Sequence, residues 1–199
     1  MRPHTGEVRF DTVLGPADAS NLQTEVAGLR RRQRRLVRGV STGPSGSDQP
    51  YQFQAVVDEQ ERSWTFIRQG SSHRAHYSEG HLHSEDGSFE VSFERSGNVA
   101  PPVRLLTPEL LPLWGSPASY SPMLVQRIKT HWLLFTFEHE LDPAQRATLV
   151  VDERDGIAHR SYSQSHTTVL TEVRVLDDED PTPAQPKFSR LQEWPRLEY

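Results

Sequence analysis

Apolar and polar residues alternate along two separate parts of the chain, and each part predicts a group of β-strands. Between positions 51 and 94, apolar residues fall on alternate positions in four or five short segments, with Gln, Ser, His and Glu residues between them. From position 131 to 176, three further strands are predicted, with turns at Asp142-Pro143 and Asp155-Gly156. Such alternation is typical of an antiparallel sheet with one buried face. We therefore predict a mainly β (α+β) fold with a single curved antiparallel sheet of seven or more strands.

A helical pattern precedes the first group of strands. Large apolar residues recur there at spacings of three, four and seven: Leu22, Val26, Leu29 and Leu36. Asp18 or Ser20 is the predicted N-cap. Six arginines between positions 30 and 38 would then crowd the end of this helix, either as a phosphate or anionic-lipid patch or as a solvated last turn stabilised by the helix dipole.

An insert of a different character separates the two groups of strands. Residues 98–122 contain six prolines and a dense set of large apolar residues: Leu105, Leu106, Leu110, Leu111, Leu113 and Trp114. Thr107-Pro108 predicts the start of one or two helical turns, and residues 122–128 predict another short helical turn. Because so many apolar residues cannot remain in water, we expect the insert to pack across the concave face of the sheet, with Trp114 buried.

Composition narrows the classes of function. The chain has 199 residues, a formal net charge of −5 and no cysteine. Its charge argues against a general nucleic-acid binder, and the lack of cysteine excludes disulfides, thiolate nucleophiles and cysteine-held metal clusters. No run of residues is apolar enough for a membrane span, and residues 1–7 lack the apolar core of a signal peptide. We therefore expect a cytoplasmic location.

The chain is predicted to form one β-rich domain at residues 1–176. The following residues 177–199 begin with a run of acidic residues and continue with three prolines, which is typical of a tail outside the compact domain. The tail also carries Phe188, Leu191, Trp194 and Leu197, which could dock on the domain or on a partner protein.

The order and sequence of these segments resemble the LolA-like lipoprotein-carrier family. The likeness extends over residues 17–176 and is carried by residues 148–152 (TLVVD), 155–157 (DGI) and 167–173 (TTVLTEV), with residues 63–68 (SWTFIR) as an earlier strand. This resemblance implies a half-barrel whose concave apolar face is covered by helices and shelters an acyl chain or another apolar ligand. Members of the family work outside the cytoplasm.

The predicted concave apolar face gives a set of candidate ligand-binding residues, and we predict no cofactor. The predicted lining of the concave face is Trp64, Phe66, Phe89, Val91, Phe93, Leu133, Phe135 and Phe137, with Leu110, Leu111 and Trp114 as the cover. The alternative is that all of these residues form an ordinary core. The predicted function is a non-enzymatic binding module for a hydrophobic small molecule, a lipid or a protein partner.

Two alternatives remain open at the level of sequence. The first is a metal- or histidine-dependent enzyme, because a dense group of potential ligands occurs together: His73, His76, His81, His83, Glu85 and Asp86. Within this group His81 and His83 would project to one face of a strand and could share a metal ion. Later histidines at positions 131, 139, 159 and 166 have serines nearby, but no nucleophile motif surrounds these serines. The second alternative is an intracellular protein-interaction domain that docks through the arginine cluster or the tail.

Overall fold

In the part of the chain that the structure describes, the fold consists of one large antiparallel sheet and two helices. The computed structural model describes residues 8–42, 50–69, 74–84, 87–92, 101–106, 111, 120–164 and 166–177, apart from the side chains of Phe89 and Pro101. The helices are α1 (Pro16–Leu29) and α2 (Pro101–Arg104). The strands are β1 (Val13–Leu14), β2 (Arg34–Thr42), β3 (Tyr51–Asp58), β4 (Ser63–Arg68), β5 (Arg74–Ser78), β6 (His81–Ser84), β7 (Gly87–Glu90), β8 (Tyr120–Lys129), β9 (Trp132–His139), β10 (Arg146–Asp152), β11 (Ile157–Ser163) and β12 (Thr167–Val175).

All twelve described strands belong to a single sheet in the order β1-β8-β9-β10-β11-β12-β2-β3-β4-β5-β6-β7. Every neighbouring pair is antiparallel, and within the described residues the sheet is open, with β1 and β7 at its edges. β12 and β2 join the two groups of strands, with Thr168 opposite Ser41 and Val173 opposite Val37. The predicted curved antiparallel sheet is therefore confirmed.

The alternation of apolar and polar residues in the sequence corresponds to an alternation of buried and partly exposed side chains in the structure. In β9 the side chains of Leu133, Phe135 and Phe137 are fully buried, whereas their neighbours Leu134 and Thr136 on the other face are half-buried. A covered inner face and a wetter outer face follow from this pattern. The inner face is the concave face, on which both helices pack.

Two differences from the sequence-based prediction concern single strands, and one predicted helical turn lies outside the described residues. Residues 131–176 form four strands, because residues 164–166 divide the last predicted strand into β11 and β12. Residues 122–128 belong to β8, where bulges interrupt the pairing with β9. Their apolar run lacks strict alternation, and this absence had favoured a helical turn. The predicted helical turn at residues 107–111 lies outside the described residues except for Leu111, whereas the described α2 begins earlier, at Pro101.

The predicted helix is also shorter than expected and has a different N-cap. α1 begins after Gly15, which makes no side-chain capping bond, so neither Asp18 nor Ser20 is the cap. The helix ends at Leu29 because Arg30 has an extended backbone, and Leu36 lies on β2. The arginine cluster is consequently not a helix terminus, so the prediction of a solvated last turn was wrong, whereas the phosphate or anionic-lipid patch stays a prediction. Its members are distributed between a loop and β2.

Ion pairs explain how arginines are accommodated in β2. Arg35 is 1% exposed, and it donates a hydrogen bond to Glu59 at 2.7 Å and to the Arg31 carbonyl oxygen at 2.8 Å. Arg30 pairs with the same carboxylate of Glu59, which therefore joins the loop after α1 to the turn after β3. On the outer face Arg38 pairs with Glu172 at 3.0 Å. These arginines have a structural role in holding β2 to its neighbours.

A second buried ion pair attaches the segment before β1 to the sheet. Arg127 of β8 contacts both carboxylate oxygens of Glu153, at 2.9 Å and 2.8 Å, and donates a hydrogen bond to the Val8 carbonyl oxygen at 2.7 Å. The hydrogen bond from Arg127 lowers the pKa of Glu153. Because both side chains are largely buried, this pair anchors the N-terminal segment beside β8.

Candidate functional site: the concave face of the sheet

One half of the concave face is lined by aromatic side chains from consecutive strands. Trp64 of β4 lies opposite Tyr77 of β5, with ring centroids 6.2 Å apart. Phe66 stacks on Phe53 of β3 at 6.0 Å. Leu82 continues this surface on β6. Every second residue of these strands is apolar, so the register of the hairpins brings the side chains into one patch.

The other half is lined by β8 to β11. Leu133, Phe135 and Phe137 are each fully buried, and the rings of Phe135 and Phe137 lie 6.1 Å apart. Val125 and Leu149 flank Phe135 on the neighbouring strands. The predicted lining residues Trp64, Phe66, Phe135 and Phe137 thus belong to one continuous apolar cluster.

Two segments cover this cluster. α1 packs beside β8 through Ala19, Leu22 and Val26, all fully buried. α2 and the residues after it contact β2, β3 and β12, and four described residues of the insert are buried in the cluster: Val103, Leu105, Leu106 and Leu111. The described part of the insert therefore lies over the concave face. Leu111 is buried in the cluster, and its role as a covering residue of a ligand site stays a prediction.

Several predicted site residues lie outside the described residues. Phe93, Leu110 and Trp114 belong to segments that the structure does not describe, and only the backbone of Phe89 is described, opposite Leu82. Their assignments as lining or covering residues remain predictions.

A polar region interrupts the apolar surface at one end of the sheet. The hydroxyls of Ser41 and Thr168 are 2.9 Å apart in a directly paired position of β2 and β12, and both residues are buried. Arg104, the last residue of α2, is half-buried near this end, and its Nε is buried without a hydrogen-bond partner among the described residues. Burial lowers the pKa of Arg104, an effect that the nearby Tyr120 partly opposes. Sequence reasoning did not single out Arg104, because its lack of a partner depends on tertiary packing.

The histidines of the proposed metal group lie on the outer face instead. His76 and His83 are paired across β5 and β6, with ring centroids 6.1 Å apart, and His81 is 6.3 Å from His83. All three are exposed. Among the described residues, no group of three or more His, Cys, Asp or Glu side chains is arranged to hold a metal ion. His73, Glu85 and Asp86 lie outside the described residues.

The later histidines are dispersed. His139 packs edge-on against Tyr120 at 5.1 Å, and His131 lies 3.5 Å from Glu153. His159 stacks on Trp132 at 5.6 Å on the outer face, where burial lowers its pKa. Burial also lowers the pKa of His166, and the positive charge of Arg104 adds to this effect. Each histidine thus has a different set of neighbours, and the described residues do not bring them together in one site.

Two surface depressions lie away from the concave face. One has a volume of about 390 Å³ and is lined by Phe10, Ile128, Lys129, Thr130, His131 and Trp132. The other, of about 530 Å³, is formed near the edge strand β7 by residues that include Glu79, His81 and Glu90. Neither is lined by a described residue of the insert.

Comparison with solved structures places this architecture among known folds. MucB matches 85% of this chain with a TM-score of 0.50 at 12% sequence identity. A LolA superfamily protein from Nitrosomonas europaea matches 80% of the chain at 10% identity, with a TM-score of 0.38. A complex of MucA with MucB from Pseudomonas aeruginosa also matches, over 84% of the chain, with a TM-score of 0.45 and 13% identity. The fold is LolA-like, as the sequence pattern predicts.

The comparisons show the fold of this chain, and its function has to be inferred from the residues of the candidate site. This chain spans 61% of the length of the MucB chain. The sequence matches no family model. It also matches no curated protein. Among the described residues, no helix is both long and apolar enough to cross a membrane.

Proposed function

We propose that this chain is a non-enzymatic binding module that takes up an apolar or lipid-like ligand against the concave face of its sheet. The observation that carries the proposal is the continuous apolar cluster that runs from Leu82 on β6 to Phe137 on β9. Side chains of α1, of α2 and of the residues that follow α2 cover this cluster. Apolar surfaces of this kind are the usual lining of small-molecule sites. The fold it shares with a LolA superfamily protein agrees with this role, although fold alone does not fix function.

The insert is the element that a ligand would displace. α2 has only four residues, and the two backbone hydrogen bonds that follow it are local, from Leu105 to Pro102 and from Leu106 to Val103. The burial of Val103, Leu105 and Leu106 contributes to its attachment to the sheet. An acyl chain offers the sheet the same kind of apolar contact, so ligand and insert would compete for one surface.

Adjacent residues on β4 provide a matched test. Phe66 faces the concave side, whereas Ile67 is half-buried on the outer face. We expect saturable binding of a neutral fluorescent acyl-chain probe to the wild type. Phe66→Leu should weaken this binding several-fold because it reshapes the lining, and Ile67→Val should leave it unchanged.

Stability must be followed on the same samples. Each variant is compared with the wild type by chemical denaturation, and probe binding is measured at a temperature at which all three proteins are folded. If the wild type does not bind the probe saturably, or if both variants change the dissociation constant equally, the apolar cluster is an ordinary core and the proposed function is wrong.

A further inference from the structure

Arg104 is a cation at the margin of an apolar surface, and no carboxylate among the described residues pairs with it. Its side chain is half-buried, and the described residues supply neither an ion pair nor a hydrogen bond to the buried Nε. Two buried arginines of the sheet differ in this respect, since Arg35 is paired with Glu59 and Arg127 with Glu153. A half-buried guanidinium group retains unsatisfied hydrogen-bonding capacity that an anion could use.

The position of α2 places Arg104 on the concave side of the sheet. Arg104 is the last residue of α2, which packs on β2, β3 and β12. Two groups near Arg104 agree with this position: Tyr120, the first residue of β8, raises the pKa of Arg104, and the charge of Arg104 lowers the pKa of His166, which immediately precedes β12.

The strands beneath α2 are also polar at this end. α2 contacts β2 and β12, which carry the buried hydroxyls of Ser41 and Thr168 on the concave face. Tyr51 lies opposite Ser41 on β3, and Arg68 of β4 packs over its ring at 4.1 Å. The concave face thus changes from apolar in its centre to polar and positively charged at one end, which is the arrangement that an amphipathic ligand requires.

We propose that the ligand of the concave face has an acyl chain with an anionic head group, a carboxylate or a phosphate, and that Arg104 binds this head group. The inference rests on the proposed function, because the acyl chain would occupy the apolar cluster. The planar guanidinium group suits carboxylate and phosphate oxygens equally, since both accept two parallel hydrogen bonds.

The test uses three ligands with one tail: dodecanoate, dodecyl phosphate and dodecanol. Each ligand is tested for its ability to displace the neutral fluorescent acyl-chain probe from the full chain. We expect at least one anion to bind about tenfold more tightly than the alcohol, the size of effect that a charge-assisted hydrogen bond supplies. Arg104→Gln should abolish this preference without lowering the affinity for dodecanol, and Arg104→Lys should retain part of the preference. The relative affinity of the two anions identifies the head group.

Arg146 provides the matched control. It lies at the start of β10, at the same end of the sheet, but its side chain is 66% exposed and pairs with Glu138 on the outer face. Arg146→Gln removes the same charge and should leave the preference unchanged. If all three ligands bind the wild type equally, the anionic head group is wrong, and if Arg104→Gln keeps the preference, the assignment of Arg104 is wrong. In both cases the proposed function stands. If no ligand displaces the probe or the probe does not bind, the proposed function fails and this inference fails with it.

A measurement on the wild type keeps the inference testable if the Arg104 variants do not fold. Burial and the charge of Arg104 lower the pKa of His166. An anion bound to Arg104 would offset that charge, so the pKa of His166, followed by NMR, should rise with dodecyl phosphate and stay constant with dodecanol. An unchanged pKa with saturating dodecyl phosphate would place the phosphate elsewhere and overturn the assignment of Arg104.

Discussion

The environment of individual charged side chains in this protein cannot be deduced from their neighbours in sequence. Arg35 and Arg38 belong to one cluster of arginines in sequence, yet Arg35 is buried against Glu59 and Arg38 is exposed beside Glu172. Their partners lie 24 and 134 positions away along the chain. Sequence reasoning could count these charges, but it could not assign roles to them because the pairing depends on strand order.

We expect His159 to make the stability of the protein depend on pH. It stacks on Trp132, and its Nε2 is buried without a hydrogen-bond partner among the described residues. Burial lowers its pKa, although the nearby Asp155 and Asp152 oppose this effect. As the pH falls below about 6.5, the unfolded chain therefore takes up a proton before the folded protein does. Stability should be lost between this pH and the lower pKa of the folded state, and unaffected by His159 above it.

The matching variant is His159→Phe, which can keep the stack on Trp132 and cannot take up a proton. Denaturant unfolding at about pH 8 and about pH 5.5 should show a loss of stability for the wild type and a smaller loss for the variant. Asp152 and Glu153 also have lowered pKa values, but they titrate at more acidic pH and would not produce this difference. Equal losses for the two proteins would contradict the assignment to His159.

At the scale of single elements, alternation was the reliable signal. β3, β4 and β9 were predicted because one face of each is buried and the other is wetter. β2 and β8 were missed for a common reason. β2 buries consecutive residues from Arg35 to Val37, and bulges break the pairing of β8, so neither shows a regular period of two.

Two glycines give a prediction about these elements. Gly28 is exposed in α1 and has open space where a Cβ would lie, so Gly28→Ala should raise the free energy of unfolding by about 0.5–1 kcal/mol. Gly39 lies in β2 under the ring of Phe53, where a Cβ would be 2.2 Å from the Val169 carbonyl oxygen. Gly39→Ala should therefore lower it by about 1–3 kcal/mol. Denaturant unfolding checks both, and a stabilising Gly39→Ala would mean that β2 and β12 are not packed in this way.

At the scale of the whole molecule, the LolA-like architecture followed from the order of segments. A leading helix, a strand-rich half, an apolar insert and closing strands leave one continuous sheet whose apolar face needs a cover. The sequence could not distinguish a covered core from a ligand site, because the same apolar residues serve both. That difference depends on whether the insert can leave the sheet.

The most direct measurement compares two adjacent leucines of β9. Leu133 is fully buried on the concave face, and Leu134 is half-buried on the outer face. The methyl NMR signals of both are followed while a fatty acid with a nitroxide on its acyl chain is added, and reduction of the nitroxide provides the control. If the acyl chain enters between the sheet and the insert, the Leu133 signals will broaden well before those of Leu134. Broadening of Leu134 alone, equal broadening of both or no broadening at saturating ligand would contradict binding at the concave face.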